Sequence, residues 1–121
     1  MPTERIYQVP DDEREEEIQD AWVRETDEQE VRGVEAWKPF DGDWRVVLWV
    51  AEFLREDPLE AEMRRSMHSA LSQCSGVDQV IEEDREQWVV TGSPSGLDLV
   101  RAAAEVVDAL ADRARAYLDA L

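Results

Sequence analysis

The sequence contains one cysteine, one histidine and one lysine among its 121 residues. A single cysteine, Cys74, excludes an internal disulfide, so we expect a reducing, cytoplasmic location. The longest apolar run, residues 46–51, is far shorter than the roughly 20 residues that span a membrane. The opening residues, MPTERIYQVP, lack the charged-then-apolar order of a signal peptide. The sequence therefore predicts a protein that is neither secreted through a visible signal nor embedded in a membrane.

Basic residues are scarce beside acidic ones. There are 13 lysines and arginines against 30 aspartates and glutamates, for a formal net charge of −17. This charge repels nucleic-acid phosphates and anionic membranes, so neither is expected as a partner. It attracts basic proteins and cations. A high acidic load also keeps a small protein soluble and is found in salt-adapted proteins, so the charge fits solvation as well as recognition.

The most informative stretch is residues 44–54, WRVVLWVAEFL, which is apolar on both faces of a strand. Alternate side chains of a strand point to opposite sides of its sheet, so both sides must be covered by other protein. The two candidate covers are the N-terminal segment, with Ile6, Tyr7, Ile18 and Trp22, and a second copy of the sheet. Because closed dimers are the commonest oligomers, we expect a homodimer.

The segments around this strand carry turn and helix signals. We expect strands over residues 18–40, although residues 18–22 also fit a helix face. The Asp41-Gly42 pair predicts a two-residue hairpin turn with positive φ at both residues. Asp57-Pro58 predicts a helix start, and the three-and-four spacing of apolar residues from 59 to 74 predicts one helix that ends at Gly76.

The remaining third of the chain predicts a second hairpin and a long helix. Residues 77–83 and 87–91 flank a polar turn, and residues 96–121 carry two neighbouring apolar stripes. From Trp44 onward the order is β-α-β-β-α, which resembles the ferredoxin-like plan without its last strand. The resemblance implies a permuted ferredoxin-like α+β fold, with an N-terminal strand in place of the last strand. It implies an antiparallel sheet of four or five strands, with two helices on one face. Residues 18–121 are expected to form this single domain, and residues 1–17 an acidic arm or a short helix.

Five residues are candidates for a ligand pocket: Trp49, Glu52, Trp88, Arg64 and His68. A carboxylate inside an apolar strand can act as a general base, and a lone histidine can carry protons near neutral pH. Tryptophan on an open sheet face forms a binding platform. Each residue also has a structural explanation. The tryptophans suit a core or a dimer interface, Arg64 suits a helix-surface pair with a glutamate, and His68 suits solvent. Glu52 suits the solvent-exposed end of its strand, or an ion pair with an arginine such as Arg55 or Arg85.

No catalytic, metal or cofactor motif is present, and no cofactor is expected. Met63, Met67, His68 and Cys74 contain soft ligand atoms, but methionine and free cysteine are common core residues. The leading hypothesis is a non-enzymatic acidic interaction or regulatory module that is homodimeric and binds a basic protein. The alternative is a small-molecule-binding protein or cofactor-free enzyme with a tryptophan-lined pocket on the sheet face.

Overall fold

A computed structural model describes residues 4–26, 32–50, 59–84 and 86–119. Six strands form one antiparallel sheet in the order β1-β2-β3-β4-β6-β5. The strands are β1 Glu4–Gln8, β2 Ile18–Thr26, β3 Arg32–Pro39, β4 Trp44–Val50, β5 Val77–Asp84 and β6 Gln87–Gly92. The helices are α1 Leu59–Ser72 and α2 Gly96–Asp119. The predicted α+β class is confirmed.

The strand at Trp44 is central, as its two apolar faces predict. β4 pairs with β3 on one side and with β6 on the other. Val46 lies opposite Ala36 and Trp88, and all three are fully buried because they lie on the side of the sheet that the helices cover. That side carries the core, whose strand residues are Val34, Ala36, Trp44, Val46, Leu48, Val80, Trp88 and Val90.

The two hairpins form where the sequence predicts them, but the first turn differs. Four residues, 40–43, join β3 to β4, and no described residue other than Gly76 and Gly92 has positive φ. The predicted two-residue turn with positive φ is therefore wrong. The strand ends at Pro39, and the Gly42 amide donates to the Pro39 carbonyl at 3.4 Å. A Cβ at Gly42 would lie 2.7 Å from Cγ of Pro39, so this glycine permits close approach to the proline ring.

The strand count of four or five is wrong, because the chain adds a sixth strand at its N-terminus. Residues 1–17, for which an arm or a short helix is expected, contain β1 and one 3-10 turn at Asp11–Glu13. β1 is an edge strand, and its Ile6 packs on the helix-side core together with Trp22 of β2. The N-terminal segment therefore extends the sheet rather than covering its second face with these two residues.

Both helices belong to the core side. The side chains of Met63, Met67 and Leu71 from α1 pack with those of Leu99, Val107 and other α2 residues against the buried strand residues. α2 begins after Ser95, whose Oγ accepts a hydrogen bond from the Asp98 amide at 3.4 Å, as an N-cap does. The predicted helix start at Asp57-Pro58 lies outside the described residues.

Candidate functional site

The side of the sheet opposite the helices is called here the open face. Strand parity and the pairing register assign its residues, because partners in register share a face. The open face includes Arg5, Tyr7, Ala21, Val23, Glu25, Glu35, Trp37, Arg45, Val47, Gln79, Ile81, Glu83, Asp84, Gln87, Val89 and Thr91.

The open face is only partly shielded by its own neighbours. Val23, Trp37, Val47 and Val89 are half-buried, and Ile81 is 45% exposed, whereas Val46 on the helix side is fully buried. Both described helices contribute to the core on the other side. Among the described residues, no helix therefore covers this face, and it presents apolar side chains to whatever lies over it.

Polar side chains of the open face contact one another in two places. Arg45 forms an ion pair with Glu83 and lies over the Trp37 ring, with its guanidinium carbon 5.6 Å from the ring centroid. At the other edge, the Tyr7 hydroxyl donates to Glu25 Oε1 at 2.8 Å. This hydrogen bond to a carboxylate, with burial second, raises the pKa of Tyr7. These contacts hold the polar residues of the face in fixed positions.

A groove opens at one end of this face, where the β1–β2 connection borders β2 and β3. It has a volume of about 440 Å³. This acidic groove is lined by Val9, Glu13, Arg14, Glu15, Glu17, Ile18, Ala21, Glu35, Trp37 and Pro39. Apolar and aromatic side chains form its walls, and four glutamates face a single arginine. Such a cavity suits an organic cation.

Glu35 is the groove residue with the most perturbed environment. It lies between Val23 and Val47 in the register of the sheet. Burial among these neighbours raises the pKa of its carboxyl, because desolvation disfavours the charged form. A cation brought next to Glu35 restores the favourable interaction that burial removes.

The one basic residue of the groove is already engaged. Arg14 donates from Nη2 to Asp11 Oδ1 at 2.8 Å, its Nη1 contacts the Gln19 carbonyl, and Asp20 lies 3.8 Å away. Within the described part of the chain, no ion pair joins Glu13, Glu15, Glu17 or Glu35 to a cation. The groove thus presents uncompensated negative charge.

The structure does not bring Trp88, Arg64 and His68, three of the five residues predicted from the sequence, together in one pocket. Trp88 is fully buried beneath the helices, so its ring has no surface for a ligand. Arg64 on α1 pairs with Glu60 at 3.0 Å and with Glu82 at 3.1 Å. His68 is an exposed α1 residue. Trp49 lies in β4 opposite Gly33, and Glu52 falls outside the described residues.

The residues that sequence reasoning missed are Glu35 and Trp37 as groove residues, and Arg24. Trp37 follows the buried Ala36 in β3, and neighbouring residues of a strand point to opposite faces of the sheet. The alternation of buried and half-buried positions along β3 therefore assigns Trp37 to the open face. Arg24 is 1% exposed, and it joins β2 to α2 by hydrogen bonds of 2.9 and 2.8 Å to the two carboxylate oxygens of Asp108. Nothing in the sequence pairs these two residues, which lie 84 positions apart.

The described residues contain no group of three histidine, cysteine, aspartate or glutamate side chains placed to bind a metal. No helix among them is both long enough and apolar enough for a membrane span. No protein-family model, curated protein or solved structure matches the chain.

Proposed function

We propose that this protein is a non-enzymatic, acidic interaction module of the cytoplasm that binds a basic protein through the acidic groove. The observation that supports the proposal most directly is the juxtaposition of the Trp37 ring with four glutamates in one cavity. The formal net charge of −17 supplies a long-range field that draws a basic partner toward the surface.

The groove fits an arginine or lysine side chain of such a partner. The aliphatic stem of the side chain packs on Trp37, Pro39 and Ile18, and its cationic head reaches the carboxylates. A guanidinium adds two further interactions, since it stacks on an aromatic face and forms bidentate hydrogen bonds with carboxylates. Arginine is therefore preferred over lysine at this site.

The scaffold of this module is proposed to be a permuted ferredoxin-like arrangement. The strand order β3-β4-β6-β5 supports this proposal, because β3 lies beside β4 where the complete plan has its last strand. β1 and β2 are additions at the β3 edge. Such a likeness concerns architecture alone, so the function rests on the groove.

The test is the binding of a fluorescently labelled, arginine-rich peptide, measured by anisotropy at low salt. We expect the double variant Glu15→Gln, Glu17→Gln to bind at least about tenfold more weakly, since each carboxylate lost from the site removes a charge-assisted contact. The matched control is Asp78→Asn, Glu105→Gln, which removes the same charge from exposed positions outside the groove. We expect the control to bind within about twofold of the unmodified chain.

Two results would contradict the proposal that the acidic groove binds the peptide. One is an equal loss of affinity in the two double variants, which means that the net charge alone attracts the peptide. The other is binding that ignores ionic strength, because contacts between exposed charges weaken when salt screens them.

A second candidate function is the binding of a small organic cation, which the half-buried Glu35 beside Trp37 favours. Titration calorimetry with arginine amide separates the two functions. Binding of arginine amide as tight as that of the peptide, and lost in Trp37→Leu, favours the small ligand. Binding that requires the peptide favours the protein partner.

A further inference from the structure

We infer that a second copy of this chain docks on the open face, sheet against sheet, around Val47, Val89 and Ile81. These three residues belong to β4, β6 and β5, the half of the face away from the acidic groove on β2 and β3. In the register of the sheet, Val89 lies opposite Ile81, and Val47 is in the adjacent row of β4. The inference goes beyond the proposed binding of a basic protein and does not depend on it.

The charge of the open face identifies the occupant as a second copy. Its ionisable side chains other than Tyr7 are Arg5, Arg45, Glu25, Glu35, Glu83 and Asp84, which sum to −2, against −17 for the whole chain. Two copies of so acidic a chain repel each other through nearly any other part of their surface. A two-fold interface brings a patch against itself, so it requires a patch with little net charge.

The centre of the face is also neutralised locally. Arg45 pairs with Glu83 and stacks on Trp37, so its charge is compensated before a partner arrives. A compensated ion pair costs less to cover than a bare charge. A basic partner, by contrast, finds little negative charge in this half of the face, whereas the acidic groove offers four glutamates.

The area of this half of the open face indicates a weak dimer. The three strands β4, β6 and β5, spaced about 4.8 Å apart and some seven residues long at about 3.3 Å per residue, outline a rectangle of about 220 Å². The corrugated accessible surface of this rectangle is larger than its outline. It remains below the ~800 Å² per partner that standard interfaces bury, so we expect a weak dimer that forms at high protein concentration. Stacked sheets of this kind interdigitate their inner side chains as a core does.

The experiment is sedimentation velocity of the full chain from micromolar to hundreds of micromolar, at high salt to screen the net charge. We expect a concentration-dependent dimer. Ile81→Glu, at a position 45% exposed in the monomer, should raise the dimer dissociation constant at least about tenfold. The matched control is Phe40→Glu in the β3–β4 turn, 60% exposed and outside the open face, which should leave the constant within about twofold.

A second pair of variants separates loss of the dimer from misfolding caused by Ile81→Glu. Gln87→Glu adds one charge to the face without removing apolar surface, and Gln73→Glu adds the same charge after α1. Dimer loss in Gln87→Glu but not in Gln73→Glu, with circular dichroism unchanged, supports the inference. A chain that is monomeric throughout overturns it, and so does a dimer weakened equally by Ile81→Glu and Phe40→Glu.

Discussion

Arg24 shows how this fold accommodates a buried charge. Its side chain is 1% exposed, and it meets both carboxylate oxygens of Asp108 on α2. A buried guanidinium is tolerated only where a carboxylate compensates it, so the pair holds β2 and α2 at a fixed distance. Asp108 is itself partly exposed, with 36% of its side chain accessible. Water can therefore reach the pair, which lowers the loss of unfolding free energy when Asp108 is removed.

Removal of that carboxylate should destabilise the protein strongly. We expect Asp108→Ala to lower the free energy of unfolding by about 2–3 kcal/mol, because it takes the bidentate acceptor away from a buried guanidinium. Urea denaturation followed by circular dichroism measures the change. The control is Glu105→Ala, an exposed residue one turn earlier on the same helix, which should cost less than about 0.5 kcal/mol. Equal costs for the two variants would contradict the structural role of the pair.

The environment of Glu35 predicts how the free energy of unfolding depends on pH. Burial raises the pKa of this carboxyl in the folded protein, so its contribution to stability is complete below the unfolded pKa and is lost as pH rises through the folded pKa. Glu35→Gln removes this dependence. The variant should therefore be more stable than the unmodified chain at neutral pH, with the difference vanishing in acid.

Urea midpoints of both proteins across the acid-to-neutral range measure this effect. Glu105→Gln is the control for a carboxylate at an exposed position, and its midpoint should follow that of the unmodified chain. A Glu35→Gln variant that is less stable at neutral pH would show that the carboxylate has a favourable partner in the folded state.

At the scale of the elements, the sequence predicts what burial on both sides dictates. β4 and α2 are recognisable because apolar residues lie on both faces of the strand and over a wide arc of the helix, so neither element can have a fully solvent-exposed side. The segment from Asp57 to Gly92 contains clear turn residues. The sequence does not indicate β1, because an edge strand needs little apolar surface, and Ile6 is the one apolar β1 residue that the described core contacts include. The β3–β4 turn was wrong because Pro39 ends the strand early and widens the connection.

The candidate site was harder to predict, because a shift of one residue moves every side chain of a strand to the other face. The sequence favours Trp49 and Trp88 as pocket residues and does not single out Trp37, and only the pairing of Val46 with Trp88 assigns Trp88 to the core. The groove also combines the β1–β2 connection with β3, which pattern alone does not bring together.

The end of strand β6 supports a prediction at this scale. Gly92 has φ +104°, and a Cβ there would collide with the Gly76 carbonyl and approach the Asp78 amide nitrogen to 2.9 Å. Gly92→Ala should therefore cost about 1–3 kcal/mol of unfolding free energy. The control is Ser93→Ala, whose exposed side chain can be shortened while its amide still donates to Gly76. Thermal unfolding measures both, and an unchanged midpoint for Gly92→Ala would contradict the close approach.

On the scale of the whole molecule, charge and apolar surface are segregated. The formal net charge is −17, but the open face carries only −2 of it, and the groove at its end presents four glutamates. The two proposed interactions therefore depend on salt in opposite directions. Added salt screens the repulsion between two acidic chains and strengthens the dimer, and it screens the attraction of a basic partner and weakens that complex.

The most direct test of the proposed dimer is sedimentation equilibrium of the unmodified chain over a range of salt concentrations. We expect a reversible dimer of two chains whose dissociation constant falls as salt rises, because apolar surfaces of low net charge meet while the remaining surfaces repel each other. A mass of one chain at every salt and protein concentration would contradict it, and so would a dimer that dissociates when salt is added.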